Sequence, residues 1–298
     1  MVSKLSEVIQ SLDPGKPVLI AGPTASGKSE LALRVAEAQG GTILNADAIQ
    51  VYADWRLLTA RPSPADTARA PHAMYGHIPG HQAYSVGDWL RDLAPHLADG
   101  PRPIIVGGTG LYFTALTEGL AQIPETPDEV RRTAMQRIET EGHAALVAEL
   151  DRATRSRIDL ANPMRVQRAW EVLTATGTGL VAWQQNTAPP KLPLSETSAL
   201  LVNAEKDWLT PRIAARFDRM LEGGALDEAR ANRTGWSPDL PSAKAIGAAE
   251  LMAILEGSLT LDAARERVTI LTRQFAKRQR TWFRARMRPW RQVDARNL

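Results

Sequence analysis

The stretch GPTASGKS, residues 22–29, follows directly on the apolar run PVLIA and fits the phosphate-binding pattern G-x-x-x-x-G-K-[ST]. An apolar strand, a glycine-bearing turn and a helix start, in that order, leave few folds open. Gly22 and Gly27 are read as permitting backbone angles that turn successive N–H groups inward, forming a nest for anionic oxygens. Lys28 adds a positive charge, and Ser29 offers its hydroxyl to a Mg2+ ion. A helix opening at about Gly27 points the positive end of its dipole at the same anion. The expected diphosphate- or nucleotide-binding residues are thus Gly22, Pro23, Thr24, Ala25, Ser26, Gly27, Lys28 and Ser29. The loop alone does not name the phosphate compound, nor say whether a phosphoryl group is transferred or released.

Apolar runs at 18–21, 42–45, 103–106 and 199–203 read as parallel strands alternating with helical patterns. The expected fold is α/β: a P-loop NTPase-like parallel sheet flanked by helices. Between about 124 and 185 helical periodicity replaces the strands, as in Val130/Ala134/Ile138 and Val166/Trp170/Leu173, with Asn162-Pro163 as a helix start. A proline-rich loop at 188–193 returns the chain to the fourth strand, and Thr210-Pro211 and Gly223-Gly224 read as a helix start and stop. This divides the chain into a first part of the P-loop core (1–122), a helical insertion domain (123–187), and a second part of the core with basic C-terminal helices (188–298).

A switch or motor ATPase usually places a second carboxylate at the end of an apolar strand. Here the run Ile104-Ile105-Val106 leads into Gly107-Gly108-Thr109-Gly110 instead. The carboxylate follows the second strand, at Asp47. Strand ends in such sheets line one crevice, so Asp47 is expected to face the phosphate loop, as a general base or as a turn former.

The formal charge is only +3, yet nine Lys/Arg and no Asp or Glu lie between Arg267 and Val293. A concentrated basic tail on a mildly acidic body suggests a polyanionic partner. At about 100° per residue, Arg273, Lys277, Arg280, Arg284 and Arg288 fall within about 80° on one helix face. Leu271, Phe275 and Trp282 fall on roughly the opposite side, the face expected to dock on the body. With no cysteine there are no disulfides or thiolate metal sites, and neither a signal-like N-terminus nor an apolar run of about 20 residues is seen. A cytoplasmic monomer without membrane attachment is the expectation. His72, His77 and His81 lie in a Gly/Pro-containing loop and read as packing or surface residues rather than a zinc site.

Further segments join the phosphate loop: DAIQVY at 47–52, TARP at 59–62, YSVGDW at 84–89, VGGTGLY at 106–112, RVQRAWEV at 165–172, AIGAAEL at 245–251 and AKRQRTWFR at 276–284. In this order, over almost the whole chain, the sequence resembles the tRNA dimethylallyltransferases, also called tRNA isopentenyltransferases. That resemblance implies transfer of a dimethylallyl group from dimethylallyl diphosphate to N6 of adenosine 37 in the tRNA anticodon loop, with Mg2+ as cofactor. The phosphate loop would then hold a leaving diphosphate. It also implies Asp47 as catalytic base, Thr109 as a polar residue near the target nucleotide, and Arg216 as an aid to the diphosphate. For tRNA contact it implies Asp47, Ala48, Ile49, Gln50, Thr109, Arg131 and residues Met164, Arg165, Val166, Gln167 and Arg168. The stripe Arg273, Lys277, Arg280 and Arg284 joins them as the phosphate-contacting surface. The chain departs from the family's usual residues at Ala48, Asn162 and Ala248. From the residues alone two rivals stand: a small-molecule or nucleotide kinase using Asp47 as base, and a non-catalytic RNA-binding protein.

Overall fold

The computed structural model describes residues 4–298 and divides into two compact units, one running to Thr117 and resuming at Leu192–Leu298, the other formed by Glu118–Lys191. The first is built on a six-stranded sheet of order β3-β2-β4-β1-β5-β6, parallel at every pairing. Its strands are β1 Val18–Ala21, β2 Thr42–Asn45, β3 His72–Ala73, β4 Pro103–Gly107, β5 Ser198–Asn203 and β6 Arg291–Asp294. The first five helices are α1 Lys4–Gln10, α2 Lys28–Gln39, α3 Pro64–Arg69, α4 Val86–Ala98 and α5 Gly110–Glu118. Helices α6 Asp128–Glu141, α7 His143–Glu149, α8 Arg152–Arg157, α9 Pro163–Thr176 and α10 Leu180–Gln185 make the second unit. Back in the first unit follow α11 Lys206–Glu222, α12 Ala225–Ala231, α13 Ala248–Leu255 and α14 Leu261–Arg286.

Four strands coincide with the apolar runs of the sequence because a parallel strand covered on both faces must be apolar throughout. Val18, Leu19, Ile20 and Ala21 have no exposed surface, and each large side chain buried in this way contributes about 1.5–3 kcal/mol. The two strands without such a run, β3 and β6, are the sheet's edges. In β6 only Val293 is buried, so Arg291-Gln292-Val293-Asp294 carries no apolar pattern to reveal it.

The helix expected from Thr210-Pro211 begins earlier, at Lys206. Thr210 is an interior residue whose hydroxyl donates to the Lys206 carbonyl, and Pro211 costs α11 one backbone bond near its start. Gly224, at φ 97°, follows its end. In the second unit Asn162 caps α9, its side chain accepting the N–H groups of Met164 and Arg165 at 3.1 and 3.3 Å. That unit's core joins Ala134, Leu146, Leu150, Val166, Ala169 and Trp170. Among the described residues no helix is long and apolar enough to cross a membrane.

Candidate active site

Strand order and register bring three loops together. Ala21 at the end of β1 pairs with Gly107 of β4, and Asn45 at the end of β2 pairs with Val106. The turns after β1, β2 and β4 therefore leave the C-terminal edge of the sheet side by side, where open α/β sheets hold their ligands.

The phosphate loop departs in detail from the sequence expectation. The left-handed residues are Gly27, at φ 91°, and Ala25, at φ 62°. An alanine there carries strain of about 1–2 kcal/mol. Gly22 is needed for space instead: a Cβ there would lie 2.9 Å from Ser26 Oγ and 3.0 Å from Val202 Cβ. The Ser26 side chain is fully buried, and its N–H donates to the Pro23 carbonyl at 3.3 Å. The Thr24 N–H donates to Gln279 Oε1 at 2.9 Å. The amides of Thr24 and Ser26 are thus paired inside the protein, as is the Lys28 ammonium, which donates to the Pro23 carbonyl at 3.3 Å. Ser29 is exposed in the first turn of α2.

Asp47 sits in a turn tied at both ends. Its N–H donates to Asn45 Oδ1 at 2.8 Å, Asn45 Nδ2 donates to the Asp47 carbonyl at 2.9 Å, and the Ile49 N–H donates to Asp47 Oδ1 at 3.2 Å. Thr109 holds the next residue, its hydroxyl accepting the Ala48 N–H at 2.9 Å and keeping its own proton to donate. Gly107 has to be glycine, since a Cβ would fall 2.0 Å from the Ala46 carbonyl oxygen. Below the turn the indole of Trp89 donates to the Asn45 carbonyl at 2.7 Å and stacks on Tyr112, ring centres 4.4 Å apart. The YSVGDW and VGGTGLY segments thus meet under Asp47.

Around this carboxylate the charges are unusual. Burial pulls the Lys28 ammonium down to about 8, with Asp47 opposing that shift and Arg216 reinforcing it. Burial also lowers Arg216 from its ordinary value, again opposed by Asp47, though a guanidinium stays charged. The phenols of Tyr75 and Tyr112 are pushed well up, first by burial and then by the Asp47 carboxylate, so both remain O–H donors. The Asp47 carboxylate thus acts electrostatically on both Lys28 and Arg216, while Lys28 Nζ itself donates to the Pro23 carbonyl at 3.3 Å.

Other sequence expectations fall elsewhere. The Gln50 amide donates to the carbonyls of Thr59 and Ala60 at 2.8 and 3.0 Å, bracing the TARP segment. Glu228 of α12 accepts the N–H groups of Arg56, Leu57 and Leu58 at 2.7–3.0 Å and pins the same loop. Ala48 is exposed and Ile49 half-buried. Arg131 and residues 164–168 belong to the helical unit. There Met164 is 77% exposed and Arg165 is exposed, but Val166 is fully buried in that unit's core, which corrects its expected contact with tRNA. The i, i+4 helix period that sets Val166 in line with Trp170 turns its side chain inward. Gln167 donates to Glu171 at 2.8 Å, and Arg168 to the Thr126 hydroxyl at 2.6 Å.

The basic helix α14 also docks by a shifted face. Its buried residues include Ala264, Val268, Ala276, Gln279 and Phe283, a sector centred about 60° from the expected Leu271–Phe275–Trp282 side and overlapping it at Ala264. Leu271 is 37% exposed, and the rings of Phe275 and Trp282, both half-buried, have Arg278 and Arg286 over them at 5.8 Å. Small alanines let the helix approach the strand-end loops more closely than large apolar residues would. Arg273, Lys277, Arg284 and Arg288 stay exposed, and Arg280 is half-buried. The last three of this stripe border a cleft of ≈ 680 Å3 that reaches Pro23 of the phosphate loop.

Sequence reading missed Asn45, Tyr75 and Gln279. Of these only Asn45 left a signal, as the polar residue that closes the β2 run.

Comparison with known proteins identifies the family. The profile described as IPP transferase matches residues 50–286, and that described as isopentenyl transferase matches residues 16–71. A tRNA dimethylallyltransferase of Cereibacter sphaeroides is 60% identical over 278 residues, covering 93% of this chain and 88% of that protein. Its counterpart in Dinoroseobacter shibae is 60% identical over 288 residues, covering 96% and 97%. Among solved structures, a tRNA isopentenylpyrophosphate transferase from Bacillus halodurans superposes with a TM-score of 0.65 at 28% identity, covering 94% of this chain and 90% of that one. A eukaryotic dimethylallyltransferase acting on tRNA gives 0.76 at 25% identity, covering 94% and 74%. With a family profile spanning most of its length and near-full-length relatives at this identity, the chain belongs to the IPP transferase family, that of the tRNA dimethylallyltransferases.

Proposed function

We propose that this protein transfers the dimethylallyl group of dimethylallyl diphosphate to N6 of adenosine 37 in the tRNA anticodon loop, releasing diphosphate. The observation that carries the reading is the strand register, which brings the turn holding Asp47 to the same sheet edge as the phosphate loop, with the carboxylate acting electrostatically on Lys28 and Arg216. Lys28, Arg216 and the first-turn N–H groups of α2 bind the diphosphate and neutralise the charge that grows as the allylic C–O bond breaks. The lone pair of N6 forms the new N–C bond at that carbon. Its proton passes to Asp47, which offsets the poor nucleophilicity of an exocyclic amine whose lone pair is delocalised into the ring. Thr109 and Asn45 hold the turn that presents this carboxylate.

Among the described residues no cluster of three His, Cys, Asp or Glu side chains could cage a metal. The exposed Ser29 hydroxyl, in the first turn of α2 beside the phosphate loop, would be the side chain that holds a Mg2+ ion. The chemistry the ion would supply there is charge neutralisation at the leaving group. The target base stacks in the loop, so it is extruded to meet Asp47. The test is mass spectrometry of adenosine 37 after incubating unmodified tRNA with the protein and dimethylallyl diphosphate. A mass gain of one prenyl group is expected; no gain, with γ-phosphate transfer from ATP instead, would favour a kinase.

The exposed side chains of α14 are assigned to the RNA backbone. Replacing Arg273, Lys277 and Arg284 together by glutamine should weaken tRNA binding and reduce the slope of log K against log salt by about 0.7–0.9 per lost phosphate contact. Filter binding at several salt concentrations reads this, and an unchanged slope would remove the stripe from the interface.

A further inference from the structure

Helix α14 turns one polar side chain into its buried face. Gln279 is only 6% exposed. Its Oε1 accepts the Thr24 N–H at 2.9 Å, and its Nε2 donates to the Gly108 carbonyl at 3.0 Å. A backbone N–H only donates and a carbonyl only accepts, so both ends of the amide are assigned, and neutral and donating-plus-accepting character is required at once.

The two anchor points lie on different loops. Thr24 belongs to the phosphate loop after β1, and Gly108 to the turn after β4. The next residue, Thr109, holds the Ala48 N–H beside Asp47. A Cβ at Gly108 would lie 2.2 Å from Gln279 Nε2 and 3.2 Å from Asp47 Oδ2, so amide and carboxylate flank the same backbone atom. One side chain from a distant helix thus joins the loop that grips the leaving group to the turn that presents the proton acceptor.

We propose that Gln279 is a positioning residue for prenyl transfer, fixing the spacing between the diphosphate loop and the Asp47 turn. The inference rests on the transfer reaction proposed above. The donor's diphosphate is held on one loop and the attacked amine meets Asp47 on the other. Any change in their separation moves the allylic carbon off the line between nitrogen and leaving oxygen, while tRNA still binds.

Transfer by wild-type protein, Gln279→Met and Gln279→Glu is measured with dimethylallyl diphosphate and tRNA. Methionine keeps the length and volume but makes neither hydrogen bond. Its kcat should fall by roughly 10²-fold, the cost of a misplacement near 1 Å, while KM for tRNA stays near the wild-type value. In Gln279→Glu the new carboxylate, when ionised, accepts from Thr24 but cannot donate to Gly108; protonated, it does both. The ratio of Gln279→Glu to wild-type kcat should therefore rise as pH falls, since a carboxyl beside Asp47 titrates above its ordinary range. A wild-type kcat in Gln279→Met, or a ratio that does not change with pH, overturns the inference and leaves the transfer reaction standing. If Gln279→Met does not fold, the pH ratio alone decides. A wild-type protein that transfers no prenyl group sinks both.

Discussion

Asp47→Asn is expected to lower the single-turnover rate of prenyl transfer by about 10²–10⁴-fold, the usual worth of a general base. Asparagine keeps an oxygen to accept the Ile49 N–H and preserves the Asn45 turn, so the loop should stay in place. What it removes is the proton acceptor and one negative charge. The second loss has a consequence at Lys28, because the Asp47 carboxylate opposes the burial that pulls that ammonium down to about 8. Without it Lys28 titrates lower still, and near neutral pH part of the protein would lack the cation. The comparison therefore belongs on the acid side of neutrality, where the Lys28 cation is more fully populated in both proteins. A single-turnover rate equal to wild type under those conditions would remove Asp47 from the chemistry.

Lys28→Ala is expected to cost about 10²–10³-fold in kcat/KM for dimethylallyl diphosphate, the range seen when one preorganised donor to a developing anion is deleted. The pH dependence gives an independent reading. A lysine titrating at about 8 is charged below that pH and neutral above it. The wild-type kcat/KM for the donor should thus fall as pH rises through about 8, because this parameter follows the free enzyme. In Lys28→Arg the guanidinium keeps its charge and the alkaline limb should vanish, even if the absolute rate drops. Rates of Lys28→Ala near wild type, or an alkaline limb kept in Lys28→Arg, would show that this side chain does not hold the leaving group.

Much of the architecture and part of the site were legible in the order of residues. The runs at 18–21, 42–45, 103–106 and 199–203 could be read because strands buried on both faces are apolar at every position. The phosphate loop and Asp47 could be read because each follows such a strand directly, and parallel strands deliver their following loops to one edge. Asn162-Pro163 announced α9 because a cap is local chemistry: one side chain and the two N–H groups just after it.

Tertiary structure alone decided which partners those local elements meet. The edge strand Arg291–Asp294 forms because β5 offers it a free ladder, and backbone pairing needs no apolar pattern. The docking face of α14 was misjudged for a related reason. Periodicity ranks faces by the size of their apolar side chains, whereas close approach to the strand-end loops selected Ala276 and Gln279. A glutamine 255 positions from Thr24 and 171 from Gly108 becomes a bridge only once the helix is seated. Local propensity and strand patterning are written into neighbouring residues. The lowered affinity of Lys28 for its proton, the electrostatic action of Asp47 on Lys28 and Arg216, and the Gln279 bridge depend on burial and on distances between remote segments, which only the folded chain defines.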